Sequence, residues 1–412
     1  MRARWSLLLS NRAFGLTWTG RTVSWFGNAI APIALAFAVL DLGGSAATLG
    51  LVVGARSITH AVLVLIGGAL ADRAARNRIL VGSAFVAAAS QGATAVLVAG
   101  ESAPVPALML LGVINGAAAA LSGPASAVLI KQLVADDQLR DANAVTQLGM
   151  QTALLVGTSA GGLLVATVSP AAGLAIDAAT FLVAGLCYLG LPRIIAARAE
   201  RRSLVADLRD GFSFVVRSPW LRSCTMINFV TMAGFAGGLQ VLAPLVADQT
   251  FGRAGYGLIG TAQLIGGLTG TAAAVLIKDR VRLPIAISWE AGLAAPLLVL
   301  GAGAAGLITG PLLLITAAIS MFGAGVLMSL ASTFTGLAVQ RGVPDDRLGR
   351  VSSYLTVAAV GGIPAGELAV GPLAVGLGLA GAYPVLAAVV LGCVVIAVVQ
   401  AGAGAVSPPR SR

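Results

Sequence analysis

An all-α integral membrane protein, with twelve transmembrane helices in two six-helix pseudo-symmetric bundles, is predicted by three observations. Apolar residues make up 58% of the 412 and charged ones only 10%, too few charges to solvate the surface of a soluble domain of this size. Apolar runs long enough to cross a hydrocarbon core, about 20 residues each, recur from one end of the sequence to the other. Several charged segments appear twice, about half a chain apart.

The elements follow in order. Span one, near 14–40, starts just after Arg12; span two, 46–70, runs into Gly68-Ala69-Leu70-Ala71-Asp72-Arg73. Arg76, Asn77 and Arg78 complete that loop before span three at 79–99. Spans four (105–130) and five (143–168) flank Val134-Ala135-Asp136-Asp137-Gln138-Leu139-Arg140, and span six covers 171–192. The longest connection, 193–222, is rich in Arg. Within it Leu204, Leu208, Phe212, Val215 and Val216 keep helical spacing, with Arg209, Asp210, Ser213 and Arg217 on other faces and Ser203 placed to cap. An amphipathic helix on the inner membrane surface is expected there. It divides the chain into bundles 1–192 and 223–412 joined by a cytoplasmic linker at 193–222. Spans seven to twelve fall near 222–247, 255–277, 284–306, 308–338, 351–378 and 381–403.

Charge sets the orientation. With the N-terminus inside, the cytoplasmic segments hold 23 of the 26 Lys and Arg; Arg253 alone falls in an outer loop, and Arg21 and Arg56 lie in spans. That bias is the positive-inside rule, so both termini are expected in the cytoplasm. It also assigns the net charge of +10 to topology and excludes nucleic acid as the partner. Met1–Ser10 lacks the separate apolar core of a cleavable signal. Cys187, Cys224 and Cys393 are too scattered for a metal site or redox pair and read as small buried hydrophobes. No phosphate-binding loop ending in Lys-Ser/Thr occurs, which excludes ATP as a direct energy source within this chain. No cofactor and no metal are expected. Arg outnumbers Lys 24 to 2 in an Ala- and Gly-rich chain, which points to a GC-rich bacterial genome and a plasma (inner) membrane location.

The two halves are related. Leu276-Ile277-Lys278-Asp279-Arg280-Val281-Arg282 is a degraded copy of the loop at Asp72, 207 positions later. Gly50, Leu51, Ala55 and Ile58 match Gly257, Leu258, Ala262 and Ile265 at the same offset, and Val343-Pro344-Asp345-Asp346-Arg347-Leu348-Gly349 repeats the segment at Val134 with an offset of 209. Two parallel six-span repeats are the layout of carriers that rock one half against the other.

Gly68-x-Leu70-Ala71-Asp72-Arg73-x-x-Arg76 resembles the signature loop between helices two and three of the major facilitator superfamily. The resemblance extends over the chain through Asn11-Arg12-x-x-Gly15-Leu16-x-Trp18, the segment from Ala171 to Phe181 around Asp177, Ala206-Asp207-Leu208-Arg209-Asp210-Gly211, and Gln340-Arg341-x-Val343-Pro344-Asp345. These residues are most similar to the bacterial exporter branch, which includes enterobactin, macrolide and tetracycline efflux proteins. The resemblance implies that Asp72 faces the N-terminus of helix eleven when the inner gate is shut, where the positive end of a helix dipole favours it. Gly68, which allows close helix approach, and Leu70, Arg73 and Arg76 belong to the same gating motif, and the arginines also set topology. Ala75 stands where the family has a second Gly. Asp279 and Arg280 carry the weaker second gate. In span five, Gly157-Thr158-Ser159-Ala160-Gly161-Gly162 resembles the exporters' Gly-Pro-x-x-Gly-Gly motif, with Thr158 in place of Pro. The resemblance implies close packing of helices five and eight through Gly157, Gly161 and Gly162. An Arg carried in helix four by many proton-driven drug antiporters falls on Gly112.

Polar residues within spans are costly and usually functional. Thr17, Arg21, Ser24 and Asn28 form one stripe on span one, expected to face a wet cavity or to hydrogen-bond another helix, and spans four and seven add Asn115 and Asn228. Arg56 and His60 lie one turn apart in span two, and Arg56 requires a carboxylate or backbone carbonyls as partner. Asp177, Glu290 and Glu367 are the acids within spans; Glu367, beside Pro364 and Gly366, is the leading candidate for protonation and Asp177 reads as architectural.

The expected function is secondary active export of a small amphipathic compound (drug, macrolide-like or siderophore-like) by alternating access, with protons as coupling ion, the bilayer as environment and a monomer as the working unit. An uptake permease of the same fold is the alternative within the class. A membrane-embedded prenyltransferase would need two carboxylate clusters converging on one metal-bound diphosphate; Asp136-Asp137 with Asp141 offers one, but Asp345-Asp346 lacks a third acid. A receptor or scaffold would carry an attached ligand-binding or signalling domain, and none is evident. The expectation is therefore a transporter and not an enzyme.

Overall fold

The computed structural model describes residues 11–71, 76–192, 213–277 and 281–403, and among them every regular element is helical. The chain forms two compact units, Met1–Glu200 and Arg201–Arg412. In the first, α1 (Arg12–Asp41), α2 (Ala46–Ala71), α3 (Arg76–Ala99), α4 (Val105–Leu133), α5 (Leu139–Thr167) and α6 (Pro170–Leu189) follow one another with short connections. The start of α1 is fixed twice by one side chain. Asn11 Oδ1 accepts from the Phe14 N–H at 3.0 Å as an N-cap, and Asn11 Nδ2 donates to the Leu133 carbonyl at the end of α4 at 2.6 Å. Ser169 caps α6 in the same way, with Pro170 in the first turn.

In the second unit, α7 (Pro219–Gln249), α8 (Gly252–Leu276), α9 (Leu283–Ala304) and α10 (Gly310–Gly342) precede α11 (Asp345–Ala403). Eleven helices are thus long and apolar enough to cross a membrane among the described residues, against twelve expected. The difference lies in α11. Its 59 residues would reach about 90 Å if straight, roughly three hydrocarbon thicknesses. It is broken at Gly378, whose φ of 69° and ψ of 171° are non-helical and suit a residue without Cβ. Leu355, before the break, packs on one core cluster with Cys393, Val394, Ala397 and Ala401 after it, so the chain folds back at Gly378. The two arms, 345–377 and 379–403, are called α11a and α11b below and account for the twelve spans.

Each unit orders its neighbours in the same way. In the first, α2 packs on α4, α4 on α3, α3 on α6, α6 on α1 and α1 on α5. In the second, α8 packs on α10, α10 on α9, and both α9 and α7 on the folded α11. The repeat read from offsets of 207 and 209 is therefore a repeat of packing. One crossing shows it at the level of atoms. A Cβ on Gly116 of α4 would strike the Arg56 carbonyl of α2, and one on Gly325 of α10 would strike the Gln263 carbonyl of α8. Gln263 and Gly325 sit at those two offsets from Arg56 and Gly116. Glycine is needed at both, because the helices meet backbone to backbone.

Of the expected linker helix, residues 213–217 are described and helical; Leu204, Leu208 and Phe212 lie outside the described residues. Val215 does not face lipid. It is buried with Leu221, Val339, Val343 and Val351, and the Arg347 guanidinium lies 5.1 Å over the Phe214 ring. Val215 is thus buried against the second unit's own helices, while Val216 remains exposed.

Candidate functional site

In the first unit, three helices bring polar side chains together around one cation. Arg56 projects from α2 and donates from Nε to Asn115 Oδ1 of α4 at 2.9 Å; its Nη2 lies 3.5 Å from Asn28 Oδ1 of α1. Asn28 is in turn oriented by its Nδ2, which donates to the Ser24 carbonyl at 2.9 Å and lies 3.3 Å from Ser24 Oγ. The partner expected for Arg56 was a carboxylate or a backbone carbonyl. The structure supplies two side-chain amide oxygens, and among the described residues Arg56 makes no ion pair. An amide oxygen is a good acceptor that leaves the guanidinium's charge uncompensated. Gly112 explains how Arg56 fits: a Cβ there would lie 3.5 Å from the Arg56 Cβ. The Gly112 position of α4 is therefore a face without a side chain, along which Arg56 of α2 lies.

The expected stripe on α1 divides. Thr17 is fully buried and donates to the Ala13 carbonyl, Arg21 stacks with its guanidinium carbon 4.5 Å from the Trp25 ring centroid, and only Ser24 and Asn28 join the Arg56 cluster. Stacking on a ring face lets a cation sit half-buried without an acid.

Asp177 on α6 forms a second cluster. Its Oδ2 accepts from Gln91 Nε2 of α3, its backbone carbonyl accepts from Thr180 Oγ at 2.7 Å, and its Oδ1 is buried without a hydrogen bond. Gly27 of α1 permits the approach, since a Cβ there would lie 3.0 Å from the Asp177 Cα. Gln91 was not singled out in the sequence; a lone amide in an apolar helix was the available signal.

Within the first unit the span-five glycines meet α1. Cβ atoms on Gly157 and Gly161 would lie 2.6 Å from the Phe26 carbonyl oxygen and 3.1 Å from the Ile30 Cα, so both are occupied by α1 of their own unit. Gly162 is buried beside them. The reason is that α1 lies between α5 and α6, and small residues on α5 let it sit close.

In the second unit, α7 carries a π-helical stretch, Ala236–Leu242. Such a stretch offsets carbonyls from the ordinary ladder. Two tyrosines meet them: Tyr256 of α8 donates to the Leu239 carbonyl at 3.0 Å, and Tyr383 of α11b to the Gly238 carbonyl at 3.2 Å. Neither tyrosine was among the expected residues. Glu367 of α11a is 2% exposed beside the crossing in which Gly362 and Gly366 meet the Phe229 and Ala233 carbonyls of α7. Glu290 lies on a 3-10 turn, Trp289–Leu293, that interrupts α9; its Oε2 is buried without a hydrogen bond, and Thr231 of α7 faces it. Asn228 is half-buried on α7.

Asp72, Arg73, Asp279 and Arg280 lie outside the described residues. Gly68 and Leu70 belong to α2, and Arg76 opens α3. Asp136 and Asp137 occupy an exposed 3-10 turn.

The family model "Major Facilitator Superfamily" matches residues 17–367. The chain is 27% identical over 379 residues to the enterobactin exporter EntS of Escherichia coli O1:K1 / APEC, covering 89% of this chain and 86% of that protein. Among solved structures it is similar to a point mutant of the nucleoside transporter NupG, at a TM-score of 0.75 and 14% identity, covering 95% of this chain and 100% of that one. It is also similar to a bacterial homologue of the iron transporter ferroportin in an inward-facing state, at a TM-score of 0.66 and 18% identity over 95% of this chain and 98% of that one.

Proposed function

Because the chain belongs to the Major Facilitator Superfamily, we propose that it exports a small amphipathic compound of drug-, macrolide- or siderophore-like character, driven by the proton gradient. The observation that carries the direction is the similarity to enterobactin exporters over 89% of the chain. The chain is a multi-span transporter and not an enzyme, which removes the prenyltransferase alternative. Bundles at 1–192 and 223–412, joined by a linker at 193–222, alternate access to the passenger. Asp72 with Arg73 and Arg76 latches the inner gate, and Asp279 with Arg280, lacking the glycine framework of the first loop, latches it less firmly. Both termini face the cytoplasm of a bacterial cell, and the working unit is a monomer.

Proton coupling needs an acid whose charge differs between the two states of the cycle. Asp177, Glu290 and Glu367 are the acids within the spans expected from the sequence. Glu367 is the preferred carrier, because it is buried at the crossing of α7 with α11a, a contact that a rearrangement of the second unit would alter. The test is susceptibility of a deletion strain to a panel of drugs and siderophores, followed by efflux with and without a protonophore. Export abolished by the protonophore is expected. Unchanged accumulation across the panel would remove the exporter reading, and export indifferent to the protonophore would remove proton coupling.

A further inference from the structure

We propose that Arg56, with Asn115 and Asn28, binds the anionic group of the passenger, a carboxylate or comparable two-oxygen monoanion on an otherwise apolar small molecule. The proposal deepens the transporter reading and rests on it for the passenger being a small molecule, not for direction or coupling.

Four observations carry it. First, the guanidinium has five N–H donors. The edge formed by Nε and one N–H of Nη2 is turned to the two asparagine oxygens, which leaves the outer fork, made by Nη1 and the second N–H of Nη2, with no acceptor among the described residues. That fork matches the two oxygens of a carboxylate. Second, Asn115 is 3% exposed and its Nδ2 is buried with no acceptor. Its Oδ1 accepts the hydrogen bond from Arg56 Nε, so the amide is fixed with its own N–H donors unused beside the cation. A neutral acceptor would satisfy one of these groups; an anion satisfies both. Third, Arg56 makes no ion pair among the described residues. Asp177 acts on it only through space, being held by Gln91 on another helix. A cation within a span that has no acid in contact with it is unfavourable until a counter-charge arrives.

Fourth, the architecture does not require these residues. The equivalent crossing in the second unit has Gly325 against Gln263 in the same backbone contact, with Gln263 where the first has Arg56 and Ala324 where it has Asn115. The crossing is common to both halves, whereas the charged cluster belongs to the first alone.

The experiment uses the full chain in lipid nanodiscs and isothermal titration with salicylate and salicylamide, which share a hydroxylated ring and differ in charge. The wild type is expected to bind salicylate saturably and salicylamide at least about tenfold more weakly, the scale of a charge-assisted pair. R56Q should bring both probes to the same weak level, R56K should retain part of the preference, and N115L should weaken salicylate binding while leaving salicylamide unchanged. Melting midpoint and elution volume check that each variant is folded; should R56Q not fold, N115L decides. No salicylate binding, equal wild-type affinity for the two probes, a preference that survives in R56Q, or one that is undiminished in N115L overturns the site. So does recovery of R56Q stability and transport by D177N, which would make Arg56 the counter-charge of Asp177. A wild type that shows the charge preference but expels nothing from vesicles removes the exporter reading and leaves the site standing; export without the preference does the reverse.

Discussion

Replacing Gly366 by Ala should destabilise the second unit, although the same substitution at Gly392 should not. A Cβ on Gly366 would lie 2.6 Å from the Ala233 carbonyl carbon and 2.7 Å from its Cα, and would overlap the carbonyl oxygen. Ordinary contact begins near ~3.5 Å, so α7 and α11a must part by about 1 Å. The obstacle is backbone, which has no rotamer through which to yield, and overpacking of this kind costs about 1–3 kcal/mol, with the upper part of that range expected here. Against it stands the gain of replacing Gly within a helix, about 0.5–1 kcal/mol. The net loss at Gly366 is then about 2 kcal/mol, some thirtyfold in the folded-to-unfolded ratio. At Gly392, on α11b, nothing lies within 4 Å of the added carbon, so only the helix term remains and G392A should be neutral or slightly stabilising. The assay is the melting midpoint of detergent-purified wild type, G366A and G392A, read by loss of the monodisperse peak after heating. A G366A midpoint equal to wild type, or a G392A midpoint lowered as far as that of G366A, would refute the close crossing.

Removing the hydroxyls that meet the π-helical carbonyls, in Y256F and Y383F, should each lower stability by about 0.6–1 kcal/mol, the range for single hydrogen bonds within helix bundles in membranes; the midpoint of the double variant reports whether the two act on one segment. Glu367→Gln should abolish pH-driven transport while leaving passenger binding intact, and full pH-driven transport by that variant would exclude Glu367 as the coupling acid. Single cysteines in a background without Cys187, Cys224 and Cys393 test the orientation. A cysteine at Gly306, in the connection between α9 and α10, should react with an impermeant maleimide on intact cells, and one at Asp137, between α4 and α5, only after permeabilisation. The reverse pattern would invert the topology. The Arg253–Asp248 ion pair, at 3.0 Å and partly exposed, should contribute less than about 1 kcal/mol, so D248A should melt close to wild type.

The sequence by itself determined the class of fold, the number of crossings and the kinship of the halves. Each follows from local quantities: length of apolar run, placement of Lys and Arg, and a constant offset between charged segments. A bilayer makes such quantities decisive, because any segment entering it must satisfy its own backbone and therefore be helical. The polar residues that matter were also legible as a set, since a polar group within a span is conspicuous. Their partners were not. Arg56 was expected to need an acid or backbone carbonyls and found Asn115 and Asn28; Asp177 found Gln91; Gly157 and Gly161 turned out to face α1; and the tyrosines closing the π-helical stretch gave no sign beyond their presence in spans. Helical periodicity says which residues share a face, but which faces meet depends on close crossings such as Gly116 on Arg56 and Gly366 on Ala233. Those are properties of pairs of helices far apart in sequence, and only the tertiary structure decided them.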